Sequence, residues 1–240
     1  MRAVVAIAVF AGLYVVVAAA AGDQKWNFTT GGIVGDPAVG HDGSTVFVGS
    51  YDHHLYAVDA QTGAQKWNFT TGSLVLGKPA VSPDGSTVFV GSWDGRLYAV
   101  DAKTGSQKWN FTIGGPVGSS PAVSQDGSTV FVGSGSRFVG NADKLYAVDA
   151  QTGTQKWSFT TGKDIISSPT VSQDGSTVFV GSYDNNLYAV DAKTGAKKWS
   201  FTAGDNVESS PAVSQDGLTV FVGSGDTHLC AVDATSAELL

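Results

Sequence analysis

The apolar positions of this chain recur at long range. A run reading Thr-Val-Phe-Val-Gly-Ser occurs at 45–50, 87–92, 129–134, 177–182 and 219–224. A second run, Leu-Tyr-Ala-Val-Asp-Ala, follows each of them, at 55–60, 97–102, 145–150, 187–192 and, with Cys230 in place of the tyrosine, 229–234. A third, Lys-Trp-x-Phe-Thr, stands at 25–29, 66–70, 108–112, 156–160 and 198–202. Val-Phe-Val is a continuous apolar run rather than an alternation, the mark of a strand buried on both faces. Asp-Gly and Thr-Gly pairs between the runs supply the positive φ of tight turns. The second unit shows the whole pattern: an inner strand at 78–82, then strands at 87–92, 97–102 and 108–114.

Trp26, Trp67, Trp109, Trp157 and Trp199 are spaced by 41, 42, 48 and 42 residues. A four-stranded unit of about 42 residues, apolar on both faces and repeated in tandem, predicts an all-β fold whose units are β-propeller blades. Each such sheet buries its faces only against its neighbours. The segment A-x-D-x-x-T-G-x-x-x-W matches without departure in four copies, ending at Trp67, Trp109, Trp157 and Trp199. This motif resembles the tryptophan-docking repeat of the quinoprotein (PQQ-type) β-propellers, over about residues 22–240. The resemblance implies that each tryptophan lies on the outermost strand and locks against the next blade.

The fifth unit stops at Leu240, one residue short of its tryptophan. Residues 22–31 read as an outer strand with no blade before it, and Gly22 precedes Trp26 by four residues, as Gly63 precedes Trp67. The expectation is that residues 24–30 complete the last blade and close a five-bladed ring, removing the open edge. The expected state is a monomer, with a strand exchanged between chains as the alternative. Ser236 and Ala237 replace the Thr-Gly of the other copies, which suggests that no turn is made there.

Composition adds location and excludes partners. Met1-Arg2 and the uncharged run after them resemble a secretory signal peptide ending near Ala21, so residues 1–21 are expected to be removed or to act as an N-terminal anchor. A secreted or periplasmic protein follows, with membrane contact only if that segment is retained. Charged residues are 15% of the chain and the net charge is −7, which excludes a cationic nucleic-acid surface. Cys230 reads as a small apolar side chain in a strand.

The copies vary in two places, the loop before each inner strand and the hairpin between the second and third strands. Up-and-down strand order puts both on one rim, where a ligand site is expected. Tyr51, Trp93 and Tyr183 are equivalent hairpin aromatics that would stack on a sugar or a peptide, although tiling of the blade junction is the favoured reading. Arg96 and Asn185 lie beside them. His53, His54 and His228 would flank the closing junction, but hairpins on adjacent blades are too far apart to share a metal, and none is expected. Asp52, Asp94, Asp184 and Asp226 recur as turn formers. The third hairpin carries six extra residues and includes Arg137 and Phe138. Asn27, Asn68 and Asn110 each begin an Asn-Phe-Thr glycosylation sequon facing away from the tryptophan.

No nucleophile elbow, zinc motif or phosphate loop appears. The favoured function is a non-enzymatic scaffold or binding propeller, without a cofactor, that contacts a protein or a carbohydrate at the variable rim. The alternative is a lectin-like module. A PQQ-dependent dehydrogenase is disfavoured, because one cysteine and five units depart from the larger eight-bladed family members that hold the quinone.

Overall fold

The computed structural model describes residues 22–135 and 143–239. The segment 1–21 and the core of the long third hairpin, with Arg137 and Phe138, lie outside the described residues. No helix among the described residues is long and apolar enough to cross a membrane.

The described chain forms five antiparallel sheets, each an up-and-down meander. Sheet one is β1 (Ala38–Val39), β2 (Thr45–Gly49), β3 (His54–Asp59) and β4 (Gln65–Thr70). Sheet two is β5 (Ala80–Val81), β6 (Thr87–Ser92), β7 (Arg96–Asp101) and β8 (Gln107–Thr112). Sheet three is β9 (Ala122–Val123), β10 (Thr129–Gly133), β11 (Lys144–Asp149) and β12 (Gln155–Thr160). Sheet four is β13 (Thr170–Val171), β14 (Thr177–Gly181), β15 (Asn186–Asp191) and β16 (Lys197–Thr202). Sheet five has three strands, β17 (Ala212–Val213), β18 (Thr219–Gly223) and β19 (Leu229–Asp233). The inner strands are two residues long, shorter than expected, because the proline ahead of each has no N–H to extend the ladder.

Four repeated cores join the sheets in series. Phe47, Leu55, Ala57 and Trp67 of sheet one pack against Val75, Val88, Val90 and Val100 leading into sheet two. The same residue types make the next three junctions. The glycine that ends each second strand is part of the fit. A Cβ on Gly49, Gly91, Gly133 or Gly181 would lie 2.3–2.5 Å from a methyl carbon of Val75, Val117, Ile165 or Val207, respectively, across the junction. Only a residue without Cβ admits that approach.

The tryptophans dock as the repeat implies. Trp67, Trp109, Trp157 and Trp199 each donate Nε1–H to the carbonyl of the alanine after the third strand of the next sheet, at 3.0–3.1 Å. Trp26 does the same to Ala60 at 3.0 Å, so it docks on sheet one. A register shift opposite Ala57/Val58, repeated in the next three sheets, inserts one residue into the outer strand. That residue is a lysine, and the bulge sends its ammonium to the turn beneath: Lys66 Nζ reaches Ser44 O at 2.9 Å and Thr45 Oγ1 at 2.8 Å.

The described contacts do not include the expected closure. Residues 24–30 are in no strand paired with β19, and sheet five lacks a fourth strand. The turn thought absent at the C-terminus is present. Asp233 Oδ1 accepts from the N–H groups of Thr235 and Ser236 at 2.8 and 2.9 Å, Ala237 adopts φ 67°, and Leu239 bridges Val232. A hydroxyl at 235 or 236 serves the aspartate as well as the usual threonine does, so the turn survives the loss of Thr-Gly. Leu239 thus stands opposite Val232, in the place Lys197 takes opposite Val190 in sheet four.

Candidate functional site: the variable rim

The two variable loops of each repeat do meet on one rim. Tyr51 N–H donates to Ile33 O at 2.9 Å, Trp93 to Leu74 O at 2.9 Å and Tyr183 to Asp164 O at 3.0 Å. Beside each contact an aspartate binds the chain arriving from the previous sheet. Asp52 Oδ2 accepts from Gly31 N–H at 2.6 Å, Asp94 from Gly72 at 2.7 Å, Asp184 from Gly162 at 2.6 Å and Asp226 from Gly204 at 2.8 Å. The same oxygen takes the tyrosine hydroxyl four residues on: Tyr56 at 2.8 Å, Tyr98 at 2.6 Å and Tyr188 at 2.7 Å. These aspartates are thus more than the turn formers expected; they staple consecutive sheets.

The electrostatics fit a staple. Burial pulls Asp52 and Asp184 upward, but the bonds from tyrosine hydroxyl and backbone outweigh it and hold both below the ordinary carboxylate value. Burial, then the bond to Asp52, pushes the Tyr56 phenol up to about 12. The aspartate stays ionised and the phenol neutral, so the pair moves no proton near neutrality.

The other candidates divide. Tyr51 is exposed, whereas Trp93 and Tyr183 are half-buried, and the Trp93 indole lies over the backbone of Gly118 at the next junction. His53 and Asn185 hold the positive-φ place of their hairpins, at 73° and 72°, where sheet two has Gly95. His54 stacks on Tyr56 at 5.5 Å and reaches the Asp52 carbonyl through Nδ1 at 2.8 Å, while His228 sits 3.3 Å from Asp226. Each imidazole is thus engaged within its own hairpin, and the histidines are not gathered. Arg96 is exposed. Asn27, Asn68 and Asn110 are all exposed, on the side away from their tryptophans.

Hollows also lie on the opposite, constant rim. Four equivalent clefts of 460–500 Å³ lie between the turns of adjacent sheets. The one between sheets two and three is lined by Asp84, Phe89, Lys108 and Asp126. The constancy of these turns was visible along the chain but read only as turn chemistry. Their polar groups are engaged: Lys108 Nζ reaches Ser86 O at 3.0 Å, Thr87 Oγ1 at 2.8 Å and Asp101 at 3.7 Å.

The profile of the family described as outer membrane protein assembly factor BamB matches residues 11–136, 75–163 and 141–240. A search of curated proteins found no match. The crystal structure of BamB from Moraxella catarrhalis is similar at 25% identity and a TM-score of 0.72, covering 87% of this chain. The aligned part is 61% of that protein, so this chain spans about three fifths of its length.

Proposed function

The chain belongs to the BamB family of PQQ-like β-propellers, and from that premise we propose that it is a non-enzymatic scaffold outside the cytoplasm that holds a protein partner on its variable rim. The partner class suggested by the family description is a polypeptide of the outer-membrane assembly route. One observation carries the reading: the rim's recurrent acids are already occupied as staples between sheets, while the residues that differ from copy to copy, Tyr51 and Arg96 among them, stand exposed above them. A rim built that way presents a surface rather than a reaction centre. A five-bladed ring remains part of this reading, with its closure supplied from outside the described contacts.

The carbohydrate reading has weaker support, because Trp93 and Tyr183 are half-buried and the Trp93 indole nitrogen lies beside Gly118 at the next junction. The test is a photo-crosslinking amino acid placed singly at Tyr51, Arg96 and Tyr183, and at Ser86 and Ser176 on the constant rim. The purified protein is then irradiated with an unfolded outer-membrane β-barrel polypeptide. Adducts from the variable rim and none from the constant rim are expected. Equal labelling of both rims, or labelling by neither, would refute the assignment. Binding on a glycan array abolished by Trp93→Ala would replace it with the lectin.

A further inference from the structure

The outer strands β4 and β8 each carry Asn-Phe-Thr directly after the docking tryptophan, at 68–70 and 110–112. Side chains alternate across a strand, so the tryptophan and phenylalanine turn one way and the asparagine and threonine the other. The burial follows that division. Trp109 is buried and Phe111 half-buried, whereas Asn110 and Thr112 are exposed. In β4 Trp67 is buried and Phe69 half-buried, and Asn68 and Thr70 are exposed. Both polar members of each Asn-x-Thr triplet therefore reach solvent on the same face.

This exposure belongs to the position in the sheet. Sheet two has a neighbour on each side: Trp67 docks on it from sheet one, and its own Trp109 docks on sheet three. Asn110 stands opposite Tyr98 in the ladder, as Asn68 stands opposite Tyr56. Tyr98 is covered by Phe69 of sheet one, edge to face at 5.3 Å. Asn110 lies one strand further out, past that cover, and stays exposed although the sheet is packed on both faces.

The fold makes no use of asparagine at this place. Asparagine is a poor strand residue, and neither carboxamide takes a hydrogen bond among the described residues. Ser158 and Ser200 hold the same register, opposite Tyr146 and Tyr188, in strands of the same length. A small hydroxyl thus serves the sheet as well. What the asparagine adds, with the threonine two residues on, is an acceptor sequence for sugar, displayed where a bulky polar group meets no neighbour.

We propose that Asn68 and Asn110 carry N-linked oligosaccharides. The co-reactant is an oligosaccharide joined to a lipid diphosphate. The carboxamide Nδ2 bonds to the anomeric carbon, and the bond from that carbon to the diphosphate oxygen breaks. The lipid diphosphate leaves with the electron pair, and the Nδ2 proton passes to a base of the transferase; nothing is oxidised or reduced. Such transfer takes place on the far side of a membrane, so the assignment rests on the reading that the chain works outside the cytoplasm. The attached sugars stand over β4 and β8, which are the edge strands of their sheets, and keep another chain from adding there. Sheets three and four, with serine at this place, keep bare edges.

The test is mass spectrometry of the protein recovered from its source cells, fractionated into cytoplasm and everything outside it. Trypsin cuts after Lys66 and Lys108, so the peptides that begin at Trp67 and Trp109 hold one sequon each. Both should carry hexose-containing mass that an N-glycosidase removes, leaving aspartate at 68 and 110. In cells expressing variants, Asn68→Gln and Asn110→Gln should each lower the intact mass by one glycan. Thr112→Ala should lose the glycan at 110 with its asparagine still present, and Thr112→Ser should keep it. All four positions are exposed, and circular dichroism checks the fold; the wild-type peptides decide the matter even if a variant fails to fold. Protein outside the cytoplasm with both asparagines unmodified overturns the glycan and leaves the location standing. So does a modification that survives Thr112→Ala. Recovery from the cytoplasm alone overturns both readings.

Discussion

Gly105→Ala isolates the docking of one tryptophan. Gly105 has φ 74°, and a Cβ built there lies 2.8 Å from Cδ2 and 2.9 Å from Cε3 of Trp67. Two costs follow. An alanine in the left-handed region is strained by about 1–2 kcal/mol. Forcing a methyl group against a packed ring adds about 1–3 kcal/mol. Gly85, in the same sheet, separates them: its φ is 72°, but nothing lies within 4 Å of its Cβ. Gly85→Ala should therefore carry the first cost alone, and Gly105→Ala should exceed it by the second. For a chain of this size each kcal/mol is worth roughly 2–4 °C in Tm. A third comparison fixes the cause. In a Trp67→Ala background the ring that crowds the added methyl is gone, so the excess cost of Gly105→Ala over Gly85→Ala should disappear. Sheets stacked in series need not unfold together, so tryptophan fluorescence and far-ultraviolet dichroism should be followed in parallel. Equal shifts for the two glycines would refute the docking argument, and so would an excess cost that persists without Trp67.

Ala237 holds a positive-φ turn, at φ 67°, where four other copies have glycine; Ala237→Gly should stabilise by about 1 kcal/mol, read as a raised melting temperature and a more buried Trp199. Thr227, β-branched at φ 73°, should likewise gain about 1 kcal/mol on Thr227→Gly, and no gain in denaturant midpoint would contradict its strain. Cys230→Tyr should restore both a hydroxyl donor to Asp226 and an edge-to-face partner for Phe201, as Tyr188 has in Phe159 at 5.3 Å; the ring pair alone is worth about 0.5–1.5 kcal/mol, and a lower midpoint would show that the site cannot hold the ring. Asp84, Asp126 and Asp174 are each held at about 2, first by the serine hydroxyl two residues before and then by the serine two residues after. Their folded pKa is below the unfolded value of about 4, so the stability they lend is full above that value and is lost as pH falls towards 2. Replacing all three by asparagine should flatten the acid limb of a pH–stability curve, and an unchanged limb would assign acid unfolding to other groups.

Much of the fold was legible because it is local and repeated. The strand runs, the glycine turns and the docking tryptophans each depend on a few neighbouring residues, and four copies tell the same story. Closure was not legible in the same way. A missing tryptophan says that a partner strand is wanted, but whether Trp26 reaches it depends on the summed rotation across four junctions, which no single repeat encodes. The C-terminal turn departs from the motif for a different reason: it needs a hydroxyl near Asp233 and one residue in the left-handed region, and Thr-Gly is only one way to supply them. At the rim, variation marked the correct surface. It did not show that Trp93 and Tyr183 are half-buried or that His53 and Asn185 take the positive-φ place of their turns, because burial in a hairpin follows from packing across the junction.

The departures of the fifth sheet are not independent of one another. In the other four sheets a serine carbonyl and the threonine after it receive the outer-strand lysine, as Ser176 and Thr177 receive Lys198. In the fifth, position 240 is leucine instead of lysine and position 218 is leucine instead of serine. The device has lost both its donor and the polar residue beneath it, while the Leu218 carbonyl still accepts from Ala234 N–H at 2.9 Å to hold the turn. Terminal repeats of stacked proteins that end in solvent usually carry a polar outer face. This terminus changes the other way, gaining exposed leucines at 218 and 239 beside Phe221 and Leu229. A face that lacks the polar device and carries apolar side chains where its internal copies are covered has the residue character of an internal junction.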